Sequence, residues 1–241
     1  SSKFEMNGDK LFTRDARFSI VNLNDSLYHP SVSFEYHDWD KKIFIERSSG
    51  RRGLCPFRHT FFGLSFFTDK IEVDLVDDYA IMFHHSRSQD NTVLFESDNF
   101  FEKKRYLDLV GANINPLGLL IDFYNIYSKS EYYSISNFAN FCKVDFSTAV
   151  NLIIDLEIFG FVDYFNLKGC FSIKQWAFNF HDSYNNNYDY DSFKIQSKCN
   201  VRDTVAELDL ILNEMTISHI HKINMTNRFS FSIDTRFKNM V

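Results

Sequence analysis

Along the first part of the chain apolar side chains fall on alternate positions. Val32, Phe34 and Tyr36 keep a period of two, the polar DWDKK stretch at 38–42 interrupts it, and Ile43 and Ile45 resume it, which predicts a hairpin. Shorter alternating runs follow at Leu64–Phe66, Ile71/Val73/Leu75, Tyr79/Ile81/Phe83 and Val93–Phe95, with polar breaks such as SRSQDN at 86–91. Residues 1–111 therefore read as a β-rich region with a small antiparallel sheet, closed by a short helix over EKKRYLDLVG at 102–111.

The period changes in the middle. Asn115 suits a helix N-cap and Pro116 the first helical position, and Leu117, Leu120, Ile121, Tyr124 and Tyr127 recur at helical spacing. Ser134 or Ser136 starts a second helix with Phe138, Ala139 and Cys142 facing inward. Asp145 caps a third, which runs through Ala149, Val150, Ile153 and Leu156 to Phe159 and stops at Gly160. Two alternating segments, Val162/Tyr164 and Phe171/Ile173, then flank an NLKG turn.

Residues 183–200 hold few aliphatics and many Asn and Asp, and read as a linker or mobile loop. Beyond them Asp203 can cap an amphipathic helix whose stripe is Val205, Leu208, Leu212 and Met215. Ile217, His219, His221 and Ile223, an NMTN turn, and Phe229, Phe231 and Ile233 predict a closing hairpin. The expected fold class is α+β in three parts: a β-rich region (1–111), a central helical domain (112–182), and a linker, helix and hairpin (183–241).

The central order of three helices and a hairpin resembles the winged helix-turn-helix superfamily over residues 115–176. It resembles the variety in which a third helix ending LEIFGFV passes straight into the wing, as in MarR-like regulators. The resemblance implies a winged-helix central domain and a third helix that can lie in a DNA groove, but the frame also serves RNA and protein partners. The outer face of that helix carries Ser147, Thr148, Asn151, Ile154, Asp155 and Ile158, with Glu157 at the edge, and no Lys or Arg. Its carboxylates would repel phosphates, so Asn151, Ile154, Asp155 and Ile158 are expected to bind a protein, or else to pack against this same chain.

The segment LIIDLEIFGFVDY, an acidic module and the lack of active-site motifs also resemble the middle component of three-part SMC-like antiviral systems of the Lamassu type. That likeness implies an accessory subunit that bridges an SMC-like ATPase and an effector and holds the effector until DNA is sensed.

Composition narrows the choice. The chain has 241 residues, 44% hydrophobic, with a net charge of −6, so bulk attraction to nucleic acid is not expected. Acidity is densest in residues 112–182, with 4 basic and 7 acidic side chains. The 28 phenylalanines match the bias of an AT-rich coding sequence better than a set of base-stacking platforms. No run of about 18 apolar residues and no apolar leader occur, so a cytoplasmic protein without a membrane segment is expected.

The densest basic stretch spans 41–59, where Arg47, Arg51, Arg52 and Arg58, together with Lys168 at the hairpin turn, are the candidate nucleic-acid contacts. A solvated or internally paired loop is the plainer reading. Weak or indirect DNA contact follows from the first reading, and a DNA-binding regulator is the alternative function. Four cysteines without a CxxC pair suggest buried thiols. His219 and His221 share a strand face but lack companion ligands, and Cys55 with His59 lacks an orienting acid. No catalytic residue, cofactor or metal is therefore expected, and the chain reads as a non-enzymatic, protein-binding accessory subunit.

Overall fold

The computed structural model describes residues 3–84, 91–110, 115–127, 130–188, 190–200 and 203–225. A short strand, β1 (Glu5–Asn7), leads into a long hairpin of β2 (Lys10–Asn22) and β3 (Asp25–His37). β2 pairs along nearly the whole of one edge of β3. The other edge is shared, with β4 (Lys42–Arg47) opposite Val32–His37 and β5 (Phe57–His59) opposite Leu27 and Tyr28. Residues 48–56 leave the sheet between them. Pro30 sits at that break, where it cannot donate to the ladder and where the β2–β3 register also shifts.

Two arms grow from this fork. β4 is followed by β7 (Lys70–Asp74) and β8 (Tyr79–Phe83), and β5 by β6 (Leu64–Phe66) and β9 (Thr92–Ser97). The last strands extend both arms: β13 (Phe193–Lys198) pairs with β9, β14 (Thr204–Asp209) with β8, β15 (Glu214–Ile217) with β14, and β16 (Ile220–Met225) with β13. The path thus ends on β15 and β16, which only Ser218 and His219 separate. Ser218 N donates to Val205 O at 2.8 Å and Lys198 N to His219 O at 3.0 Å, so the two ends meet and the antiparallel sheet bends into a nearly closed barrel. Leu27, Val32, Ile45, Phe57, Phe66, Ile71, Met82 and Phe95 fill its interior.

The helices enter between two neighbouring strands, β9 and β13. The clasp is local: Ser97 Oγ accepts from Phe193 N at 2.9 Å. The inserted unit contains α1 (Lys103–Leu109), α2 (Pro116–Ile126), β10 (Tyr133–Ser134), α3 (Ile135–Cys142), α4 (Phe146–Ile158), β11 (Val162–Phe165), β12 (Cys170–Ile173) and α5 (Gln175–Tyr184). Its core is aromatic. The Phe123 ring lies within 5.5 Å of Tyr127, Tyr133, Phe138 and Phe141, edge-on or tilted. Asn115 Oδ1 accepts from Gly118 N and Asp145 Oδ1 from Thr148 N, and Gly160 takes φ +79°, as the sequence signals require.

The expected fold class is corrected by this arrangement. Strand takes 43% and helix 27% of the described residues, and the barrel-like sheet, not a central winged-helix domain, organises the chain. The regions before and after the helices are one sheet. Two local misreadings explain part of the error. The expected helix from Asp203 is β14, a turn and β15. A register shift between Thr204 and Ala206 turns Val205, Ala206 and Leu208 all inward, and the resulting three-residue spacing imitates a helical stripe. The expected linker at 183–200 contains β13, whose buried residues include the polar Lys194 and Ser197, so no apolar alternation announces it. Of the expected closing hairpin, Ile217 ends β15 and Ile223 lies in β16, while Phe229, Phe231 and Ile233 lie outside the described residues.

Candidate functional site

The excursion at 48–56 carries the basic stretch directly onto the helical unit. Its 3-10 turn, Arg51–Leu54, needs glycine at Gly53, where a Cβ would come within 1.9 Å of the Ser48 carbonyl oxygen. Arg51 donates to Asn151 Oδ1 at 3.2 Å and pairs with Asp155. Arg52 forms a two-pronged pair with Glu157, at 2.6 and 2.8 Å, and donates to Tyr164 O at 3.2 Å. Glu157 is 3% exposed and also accepts from Tyr164 N at 3.0 Å, so both its oxygens are used.

More contacts extend this junction. The Arg17 guanidinium lies 4.7 Å from the Tyr28 ring of the barrel and 4.7 Å from the Phe165 ring of the inserted unit. Lys174 pairs with Asp163 at 2.8 Å, and burial holds its pKa below the usual lysine range against the pull of Asp163. Beneath the excursion, Ser31 N donates to His29 Nδ1 at 3.1 Å. Nδ1 is thus an acceptor, Nε2 carries the hydrogen, and it donates to Cys55 O at 2.9 Å. Burial pushes the His29 pKa down to about 4. The junction leaves a partly open cleft of about 20 Å³ lined by Tyr28, Cys55, Glu157 and Lys174, room for about one water and no substrate.

The structure therefore brings together two groups of expected site residues. Asn151 and Asp155, proposed for a protein partner, meet Arg51 of the same chain, which is the internal packing that the sequence left open. Ile154 is half-buried on the helical core, and Ile158 lines a cleft of about 150 Å³ with Leu54, Pro56, Phe67, Phe159 and Trp176. Arg47 pairs with Asp69 at 2.6 Å, and Arg58, which borders the same small cleft as Glu157, pairs with Asp98 at 2.6 Å. Lys168 is exposed in the turn between β11 and β12 and makes no ion pair among the described residues. The arginines do not converge on an open surface.

The remaining candidates are placed as follows. Cys55 and Cys199 are buried and Cys142 and Cys170 half-buried, all as free thiols; burial pushes the Cys55 thiol up, which disfavours a thiolate. His59 packs on Phe62, and burial lowers its pKa. His84 meets Asp69 at 3.1 Å, and His85 lies outside the described residues. His219 stands at the turn into β16, with φ +54°. Among the described residues no group of three His, Cys, Asp or Glu side chains could hold a metal ion, and no helix is long and apolar enough to cross a membrane.

One surface was not read from the sequence. At one end of the barrel the β2–β3, β7–β8 and β14–β15 loops touch: Asn22 Nδ2 donates to Leu210 O at 2.7 Å, and Leu210 N to Asp78 O at 2.9 Å. These loops hold Leu23, Leu75, Val76, Ile211 and Leu212 in solvent, and the end of β2 adds Val21. Two of the loops use the same device. Asp74 Oδ1 accepts from Val76 N and Asp77 N, and Asp209 Oδ1 from Ile211 N and Leu212 N, which fixes the aliphatic residues in tight turns. The available signal was Leu23 itself, an apolar residue inside the turn sequence NLND.

No protein-family model, curated protein or solved structure matches this chain. The site's own chemistry is what bears on function.

Proposed function

We propose that the chain is a non-catalytic accessory subunit that mediates protein–protein contacts within a multi-protein complex. The observation that carries this reading is the uncovered aliphatic surface at the barrel end, where side chains gain nothing for the isolated chain by facing water. The paired arginines support it from the other side. With Arg47, Arg51, Arg52 and Arg58 each held by a carboxylate of the same chain, the basic stretch offers no open cluster of guanidiniums to phosphates, which disfavours a DNA-binding regulator that acts through it. A bridge between an SMC-like ATPase and an antiviral effector is the fuller form of the proposal. It draws support only from the likeness of the LIIDLEIFGFVDY segment and from the presence of two joined units.

Purification of the natively expressed chain tests the reading. A stoichiometric partner protein is expected, and an ATPase among the co-purified proteins would support the fuller form. A salt titration with duplex DNA should show negligible binding. Tight, steeply salt-dependent binding by a chain that purifies alone would overturn the proposal in favour of the regulator.

A further inference from the structure

We infer that the loop end of the barrel is the docking surface, and that it takes a protein segment whose apolar residues are flanked by lysines or arginines. This rests on the accessory-subunit reading and names its partner's chemistry.

Three observations converge. First, the apolar residues are not incidental spill from the core. Leu23 is 91% exposed and held at φ +54°, a left-handed conformation that a branched leucine adopts at a cost and that Asn or Gly would adopt freely. Val76, Ile211 and Leu212 are each about two-thirds exposed, at 69%, 65% and 65%, at turn positions where polar residues are the rule. Folding alone favours replacing all four, and local rules broken together at one place mark function.

Second, the loops are already ordered by the Asp74 and Asp209 turns and by the bonds that link Asn22, Leu210 and Asp78. A partner would meet a formed surface and forgo the cost of ordering it.

Third, the surrounding charge is mainly negative. The adjoining segments 38–42, 74–78 and 209–214 contain seven carboxylates against two lysines. Both lysines are taken: Lys41 pairs with Asp38 at 2.6 Å and Lys42 with Glu72 at 2.6 Å. Leu75 N donates to Lys41 O at 3.1 Å, which places the 38–42 turn beside the 74–78 turn, and Leu210 N to Asp78 O, which places 209–214 on the other side of it. An apolar centre with an acidic rim is complementary to an apolar segment with a basic rim. The same rim repels a second copy of this chain, a nucleic acid and an anionic membrane.

The test uses the full chain and three synthetic probes: a Leu/Lys amphipathic helical peptide, its Leu/Glu counterpart, and a Lys peptide without leucine. The variant combines Leu23→Asn, Val76→Ser, Ile211→Ser and Leu212→Ser, with Leu23→Asn alone as a second, milder variant. The chain should bind the Leu/Lys peptide at least about tenfold more tightly than either control, and the fourfold variant should lose about tenfold while unfolding at an unchanged or higher temperature. Equal binding of the Lys peptide, or binding that the variant retains, overturns the surface. So does concentration-dependent self-association, or binding to phosphatidylcholine–phosphatidylserine vesicles, that the variant abolishes, since either assigns the patch to a different occupant. The native complex separates the two levels of the argument. A stoichiometric partner that stays with the variant overturns this surface and leaves the accessory reading standing, whereas the absence of any partner for the unsubstituted chain overturns both.

Discussion

The junction between barrel and helical unit and the loop end of the barrel are both crowded with charged and apolar groups, yet they are balanced in opposite ways. At the junction three cations have counter-charges and a fourth lies on aromatic rings: Arg51 meets Asp155, Arg52 meets Glu157, Lys174 meets Asp163, and Arg17 sits between Tyr28 and Phe165. At the loop end the carboxylates outnumber the lysines and the aliphatic tips have no cover. A conspicuous cluster of charge is therefore not in itself a binding site. The surface that folding leaves unbalanced is the better guide, because a balanced one has already spent its interactions inside the molecule.

Removing Arg52 is the most severe way to break the balance. Arg52→Ala leaves Glu157 buried with only the Tyr164 amide as partner, and the expected loss is about 3–5 kcal/mol in urea unfolding, the range for stripping one member of a buried pair. Replacing Glu157 with Gln as well should recover part of that loss, since no buried charge then remains. A loss under about 1 kcal/mol for Arg52→Ala would mean that the pair does not hold the two units together.

Acid should loosen the junction next. His29 has a pKa lowered from 6.5 to about 4, by burial above all, so the unfolded chain binds the extra proton more readily than the folded one. Its contribution is fully present above pH 6.5 and is lost as pH falls towards 4, on the order of 3 kcal/mol across that window. The added proton would sit on Nδ1, facing the Ser31 amide that now donates to it. Urea unfolding at several pH values should show stability falling through this window, and His29→Gln should flatten the slope. An unchanged slope in that variant would place the acid sensitivity elsewhere.

How far the sequence could be read follows from the range of each interaction. Helix ends were legible because a cap is settled within four residues, as at Asn115 and Asp145. The hairpins were legible for the same reason: Phe34 faces Ile45 and Tyr36 faces Ile43, and Val162 faces Ile173 and Tyr164 faces Phe171. Barrel closure was not legible, since it depends on Ser218 meeting Val205 across strands whose pattern a bulge had disguised. Nor were the sites. The acceptors for Arg51 and Arg52 stand over 100 residues downstream on another element, so their neutralisation has no local sign. The Asp74 and Asp209 turns read as ordinary turns one at a time, and only the sheet brings them side by side.

At the loop end the smaller effect should run the other way. Leu23→Asn keeps the left-handed turn but removes the strain of holding leucine in it, so stability should rise by about 1 kcal/mol in urea unfolding. Combined with weaker peptide binding, that gain would separate the two surfaces: substitution at the junction costs stability, while substitution at the loop end adds it at the expense of contact. A loss of stability would mean that Leu23 packs on its neighbours and is part of the fold.

The smallest effect is expected at Arg51, and it sharpens the contrast within the junction itself. Arg51 and Arg52 are consecutive, both arginine, and both meet a carboxylate on α4. Yet the Arg51 and Asp155 side chains are 51% and 39% exposed, against 19% and 3% for Arg52 and Glu157. Water screens the first pair and already solvates each partner, so Arg51→Ala should change stability by no more than about 0.5 kcal/mol, and less at high salt. If Arg51→Ala proved as damaging as Arg52→Ala, burial would not be what distinguishes the two. The α4 face would then be held by the whole arginine loop acting as a unit, with no single buried pair anchoring it.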